Sequence, residues 1–306
     1  MRKNGKKNDN NWISEYIELM LADDPEHAIP LKDQHFPKAF FKYRSLNENT
    51  LNSLEENTLW LSEIHKLNDP FECAMLLDHN ACLRLTYSSD SYRAEFKSRF
   101  GFEIPTAIIA KIVNSNCPDD VYREFCASNG IVITQSAAEQ KDRIMAGWEE
   151  IRNDTNKNIR VSCFSERNDS ILMWSHYASQ HQGVCIEYDF TEADEIRYLI
   201  QPAFYSDSVF QLGTMEDLTS VSHLMSSLYK AKDWAYEAEW RLTGIPKDGK
   251  VPEKVKAPLP QAIYLGTRFT QSDLAHQTKL LEIARSHNIP VYEMTLHDSE
   301  YKVVKK

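Results

Sequence analysis

The chain has 306 residues, 42% of them hydrophobic and 11% aromatic, and carries a formal charge of −10. That length suits one large domain or two small ones, and nine glycines with twelve prolines exclude collagen-like or low-complexity architecture. The acidity argues against tight nonspecific grip on a phosphate backbone, and six cysteines without a Cys-x-x-Cys pair exclude zinc-ribbon spacing.

Residues 1–11 read as a polar tail with no apolar run of a secretory signal, and no stretch is long enough to span a membrane. The expectation is a cytoplasmic protein with reduced thiols and no membrane partner. Trp12–Ala22 has a helical apolar pattern, and residues 23–38, with three prolines, read as a connector. Residues 1–35 are thus an N-terminal extension, and residues 36–300 a single domain. Ala39–Arg44 predicts a strand, Asn47–Asn57 a helix capped by Asn47 or Asn49, and Thr58–Ser62 a second strand. Asn68-Asp69-Pro70 marks a turn. Residues 79–158 lack strand alternation and read as a helical insertion or cap, with helices over Asp90–Phe100 and Gln140–Asn153.

Beyond the insertion, strands are predicted at Arg160–Glu166, Gly183–Phe190, Tyr198–Tyr205, Glu237–Ile245, Ala262–Leu265 and Val291–Leu296. Helices are expected from Asp169, as cap, to Ser179, at Glu216–Ala231 and at Ser272–His287. Elements mixed without a strict βαβ beat predict an α+β fold around a mixed or antiparallel central sheet with flanking helices.

Four clusters carry candidate chemistry. Arg44, after Tyr43 at the end of the first strand, offers a planar fork of donors for phosphate or carboxylate, or a structural ion pair. Ser162-Cys163-Phe164-Ser165 places hydroxyls on both faces of a strand, for a sugar or for the backbone. Met173-Trp174-Ser175-His176-Tyr177 offers rings on a helix; His176 and His181, five apart, do not share a helical face, so a hydrogen-bonding role fits them better than a metal. In Lys232–Leu242, strand alternation would put Glu237, Glu239 and Arg241 on one face, the carboxylates about 7 Å apart. That arrangement suits a catalytic pair as well as a solvated face neutralised by Arg241.

Tyr43–Ser62, Leu67–Glu72, Ser162–Glu166 with Ile171–Asp189, and Lys232–Leu242 resemble a bacterial family catalogued as domain of unknown function 2971. Some members of that family are plausible toxins or anti-phage defence components. The order Arg, Ser, Glu-x-Glu more distantly resembles the arginine–serine–glutamate ADP-ribosyltransferases. That resemblance implies NAD as co-substrate, no metal, and a protein or nucleic-acid acceptor. Arg44 would grip the NAD phosphate and ribose. Ser165 or Ser162 would support the nicotinamide ribose, Glu239 would be the catalytic acid, and Glu237 would orient or deprotonate the acceptor. Tyr43, Trp174, Tyr177 and Trp234 would stack on nicotinamide or adenine. Two other readings stand beside it. One is a metal-dependent nuclease or phosphodiesterase with Asp69, Glu72, Glu237 and Glu239 on Mg²⁺. The other is a non-catalytic sensor or interaction module.

Overall fold

A computed structural model describes residues 11–214, 217–244 and 250–306. The expected polar tail, all but its last residue, lies outside them. In chain order the elements are α1 (Asn11–Leu21), α2 (Pro25–Gln34), β1 (Phe40–Arg44), α3 (Glu48–Glu56), β2 (Thr58–Trp60), β3 (Ser62–Glu63), β4 (Met75–Leu77), α4 (His79–Ser88), α5 (Asp90–Phe100), α6 (Thr106–Val113), α7 (Pro118–Ser128), α8 (Ala137–Asn156), β5 (Arg160–Ser165), α9 (Ile171–Tyr177), β6 (Val184–Tyr188), α10 (Asp194–Leu199), β7 (Ile200–Pro202), β8 (Phe204–Ser206), β9 (Phe210–Leu212), α11 (Ser220–Ser226), β10 (Tyr229–Ala231), β11 (Glu239–Thr243), β12 (Lys254–Lys256), β13 (Ala262–Leu265), α12 (Leu274–Ser286), β14 (Val291–Leu296) and β15 (Val303–Lys305).

The chain divides into two units. The first takes the chain up to Cys73, Lys157–Ser208 and Ser227–Lys306; the second takes Ala74–Asn156 and Val209–Ser226. The helical stretch expected at 79–158 falls almost wholly in the second unit, where α4–α8 enclose a core of Leu83, Tyr87, Phe96, Ile112 and Phe125.

The first unit is built on a nine-stranded, mostly antiparallel sheet, ordered β15-β14-β13-β6-β1-β5-β11-β7, with β3 also paired to β5. With the helices around it, the fold is α+β. Alternation sorts the side chains by face. Phe40, Phe164, Ile186, Trp240, Leu242 and Ile263 turn to the main core, closed by Leu51 and Leu54 of α3 and Leu280 and Ile283 of α12. Tyr43, Cys185 and Tyr264 turn the other way, against Met173 and Trp174 of α9. Trp240 is the hub of the main core, within ring contact of Trp12, Phe36 and Phe40. Truncating it to alanine costs about 3–5 kcal/mol on the scale of large core deletions.

Asn47 caps α3 as expected, accepting from the Thr50 N–H at 3.1 Å. Several expectations change. The connector at 23–38 contains α2: Asp24 caps it and Pro25 sits in its first turn, where a missing N–H costs nothing. Ser170, not Asp169, caps α9, which ends at Tyr177. The Thr58–Ser62 strand splits, β2 pairing with β12 and β3 with β5. Tyr198–Tyr205 also splits, into β7 beside β11 and β8 beside β10. Of the helix expected at Glu216–Ala231, Glu216 lies outside the described residues, and the rest gives α11 followed by strand β10.

The Glu237–Ile245 strand begins two residues late, and Ile245 lies outside the described residues. Lys232–Glu237 is a 3₁₀ turn ending at Ala238, whose φ of 43° is left-handed. Glu237 therefore leaves the ladder before alternation can apply to it.

Candidate functional site

A cleft opens in the first unit where the ladder beside β5 is interrupted. β1 meets β5 at one rung, Phe41 opposite Ser165, and β3 meets it at Val161 and Arg160. Between those contacts Ser162–Phe164 have, among the described residues, no strand partner on that edge. The gap is a cleft of about 160 Å³ between Lys42–Arg44 and Val161–Phe164, further lined by Trp60, Asn68, Tyr177, Lys230, Glu237 and Glu239. Arg160 O and Glu166 N bond toward β11, so by alternation the Cys163 carbonyl turns into the gap. There it accepts from the Lys42 ammonium at 3.0 Å; Lys42 also donates to Ser162 Oγ at 2.7 Å and stands 4.8 Å over the Phe164 ring.

The C-terminal end of β1, which carries Arg44, is held by the loop after α9. Ser179, Gln180 and His181 are all left-handed, at φ 46°, 55° and 71°, and Ser179 Oγ donates to Ser45 Oγ at 2.7 Å. The chain then passes so near Arg44 that a Cβ on Gly183 would lie 2.2 Å from the Arg44 carbonyl oxygen, so only glycine fits.

At the carboxylate end, three acids share two bases. Arg241, fully buried, donates from Nε to Glu239 Oε1 at 3.0 Å and from Nη2 to Glu239 Oε2 at 3.0 Å. It also reaches Glu72 with Nη1 at 2.6 Å and Nη2 at 2.9 Å, and the Ser227 carbonyl. Lys230, on β10, donates to Glu239 Oε2 at 2.7 Å and to Glu237 Oε2, and lies 3.8 Å from Glu72. Glu237 Oε1 accepts from the Tyr177 hydroxyl at 2.5 Å, and Asn68 donates to that hydroxyl at 3.0 Å. Carboxylates outnumber cations by one in this buried cluster.

The charges follow from this geometry. Burial pushes Glu239 up, but Arg241 and Lys230 outweigh it and hold the carboxyl down to about 2. Glu237 goes the other way: burial and the neighbouring Glu239 charge raise it, against the pull of Lys230 and Tyr177. Burial lowers Lys230, and Glu239, Glu237 and Glu72 more than restore it. At the opposite wall, burial and Arg44 push Lys42 down to about 7. Burial also lowers Arg44.

Of the residues singled out in the sequence, Tyr43, Arg44, Ser162, Tyr177, Glu237 and Glu239 line the cleft. Ser165, Trp174 and Trp234 do not. Ser165 is buried, donating to the Glu237 carbonyl at 2.5 Å and accepting from the Arg167 N–H at 3.1 Å, so its hydroxyl positions the turn that carries Glu237. Trp174 is buried against Tyr43 and donates to the Asn168 carbonyl at 2.8 Å. Trp234 lies beneath the Lys230 ammonium, 5.3 Å away. Tyr43 spends its hydroxyl on the Arg167 carbonyl. Asp69, grouped with the acids for a metal, accepts instead from the Phe71 N–H.

Sequence reading missed Lys230 and Lys42. Both left a signal: buried acids beside a single arginine require a second base, and Lys42 falls between Phe40 and Arg44 on a core-facing register. A larger cavity, about 500 Å³, lies in the second unit at the N-terminal ends of α4, α7 and α8. Two of its carboxylates are already engaged, Asp78 as the α4 cap and Asp119 with Tyr87 and Arg123. None of the sequence motifs reaches it.

Among the described residues no helix is long and apolar enough to cross a membrane, and no group of three or more His, Cys, Asp or Glu is arranged to hold a metal ion. No curated protein and no solved structure matches the chain. Residues 173–242, which carry Tyr177, Lys230, Glu237, Glu239 and Arg241, match the model of the family described as Protein of unknown function (DUF2971).

Proposed function

We propose that the cleft cleaves NAD at its nicotinamide–ribose bond, passing ADP-ribose to a protein, a nucleic acid or water. The observation that carries this reading is the surplus of one carboxylate in a buried cluster lining one end of a cleft whose opposite wall bears Arg44. Such a site favours a substrate that is anionic at its phosphates and turns cationic at its ribose.

In the reaction, the bond from ribose C1′ to the pyridinium nitrogen breaks and its electron pair leaves with neutral nicotinamide. The acceptor oxygen bonds to C1′ and yields its proton to Glu237. Glu237 suits that role because its carboxyl is raised, which makes it a stronger base than an ordinary glutamate. Glu239, with both oxygens engaged by Arg241 and Lys230, contributes negative charge at this end of the cleft. A cleft of about 160 Å³ is smaller than the ~300 Å³ of ordinary ligand pockets, so it takes the nicotinamide riboside end while the adenosine end rests on the rim. If water is the acceptor, turnover drains NAD, which is the chemistry a toxin or anti-phage effector needs.

A second reading, a non-catalytic binding module, draws on the saturation of Glu239: a carboxylate held by two bases is poorly free to meet a ribose hydroxyl. NAD consumption by the purified chain separates the two. Cleavage predicts nicotinamide release that persists in EDTA and is lost in Glu237→Gln. Binding without turnover, across candidate acceptors, supports the module. A protein that neither binds nor consumes NAD removes the proposal.

A further inference from the structure

Lys42 and Arg44 are two cations, two residues apart on β1, that both face the cleft. Among the described residues neither has a carboxylate within 4 Å. Lys42 is held by Ser162 Oγ and the Cys163 carbonyl, and Arg44 Nε meets Thr50 Oγ1 at 3.4 Å. Buried and half-buried cations are ordinarily paired. An unpaired couple on the wall of a cavity lacks an anion.

We propose that Lys42 and Arg44 form a phosphate subsite of this cleft and that its ligand is a small nucleotide. The guanidinium supplies a planar fork and the ammonium a point charge, the complementary pair that phosphate oxygens accept. Phe41, Trp60 and Phe164 line the same walls and offer flat surfaces to a base. The narrow cleft, the carboxylates at its other end and the chain's charge of −10 disfavour a polyanion such as RNA or DNA.

The arrangement makes binding depend on protons. Lys42 faces Arg44 from its own strand, Cys163 from β5 and Glu239 from β11; burial and Arg44 dominate, so the free ammonium releases its proton near neutrality. An arriving phosphate restores that proton. Affinity therefore falls as pH rises through 7, about tenfold between pH 6 and pH 8 if the bound lysine stays charged.

The inference rests on the cleft being the ligand site proposed above, but not on any bond being cleaved. The test is calorimetric titration of the full chain with ADP-ribose, AMP and adenosine at pH 6, 7 and 8, in two buffers of different ionisation enthalpy. Parent protein should bind the phosphate-bearing probes at least ~10-fold more tightly than adenosine and take up a proton at pH 8. Lys42→Gln should lose that preference. Lys42→Arg, which keeps charge but cannot titrate here, should bind and lose the pH slope; a merely structural lysine has no such slope to lose.

The subsite is overturned if adenosine binds as well as ADP-ribose, if no phosphate-bearing probe binds, if affinity does not vary with pH, or if a single-stranded oligonucleotide displaces ADP-ribose at equal concentration. Lys42-dependent ADP-ribose binding without NAD turnover upholds the subsite and removes the cleavage reading. NAD turnover with an unchanged KM in Lys42→Gln does the reverse.

Discussion

Arg241 grips Glu239, two residues away on the same strand, through two hydrogen bonds of 3.0 Å each. Both side chains are buried, and they project from the face of β11 opposite Trp240 and Leu242. The pair anchors the acidic end of the cleft, and it decides how substitutions there will behave.

Glu239→Gln removes the carboxylate that Arg241 and Lys230 both hold in a buried setting, so it should destabilise the fold by about 3–5 kcal/mol, as broken buried ion pairs do. The acid limb is equally specific. The folded carboxyl is depressed from an ordinary 4.5 to about 2, so its stabilisation is complete above 4.5 and is lost as pH falls toward 2. The amount at stake is about 3 kcal/mol. Urea unfolding from pH 2 to pH 7 measures both; an unaltered midpoint in the variant would mean that the network contributes nothing.

Glu237→Gln should behave differently. It removes the surplus charge and leaves Glu72 and Glu239 matched to Lys230 and Arg241, so the expected cost is only about 1 kcal/mol. The folded carboxyl of Glu237 is raised, which means the native state holds that proton more tightly. Its contribution favours folding at low pH and is lost as pH rises through the folded value. The variant should therefore lack that downward slope while losing NAD turnover. A variant as unstable as Glu239→Gln would show that Glu237 is part of the scaffold.

Lys230→Gln leaves three carboxylates facing Arg241 alone and should cost about 3–5 kcal/mol. Adding Glu237→Gln removes one of the stranded charges. The double variant should therefore be more stable than Lys230→Gln, with a coupling of about 1–3 kcal/mol in the cycle. Strict additivity would contradict the short contact between the two groups.

Tyr177→Phe deletes the hydroxyl that donates to Glu237 at 2.5 Å. That hydrogen bond favours the ionised carboxylate, so its loss raises Glu237 further. The acid limb of NAD turnover should move to higher pH, with about 1–3 kcal/mol of stability lost to the unsatisfied carboxylate. An unmoved limb, measured from steady-state rates across pH 4 to 8, would detach Glu237 from the rate-limiting proton transfer.

The sequence carried the fold class through local signals that tertiary context did not override. Asn47 capped its helix, and the strands expected at Ala39–Arg44, Arg160–Glu166 and Gly183–Phe190 formed as β1, β5 and β6. What escaped were features without a local signature. Lys232–Leu242 has a strand's alternation from end to end, yet Ala238 adopts a left-handed conformation that releases Glu237 from the ladder. The carboxylates still meet, through Lys230, a contact that no spacing along one strand encodes. Ser165 was expected to meet a ligand with its hydroxyl and Trp174 with its ring; in the fold both are buried, and the hydroxyl and the indole N–H donate to backbone carbonyls.

The interruption beside Ser162–Phe164 is set by where β1, still paired to β6, parts from β5 and where β3 stops. Descendants could exchange most of the letters in Phe40–Arg44 and Arg160–Ser165 and still keep the slot. Kinship among such proteins is then written more durably in the diagram of strand partners than in the alphabet.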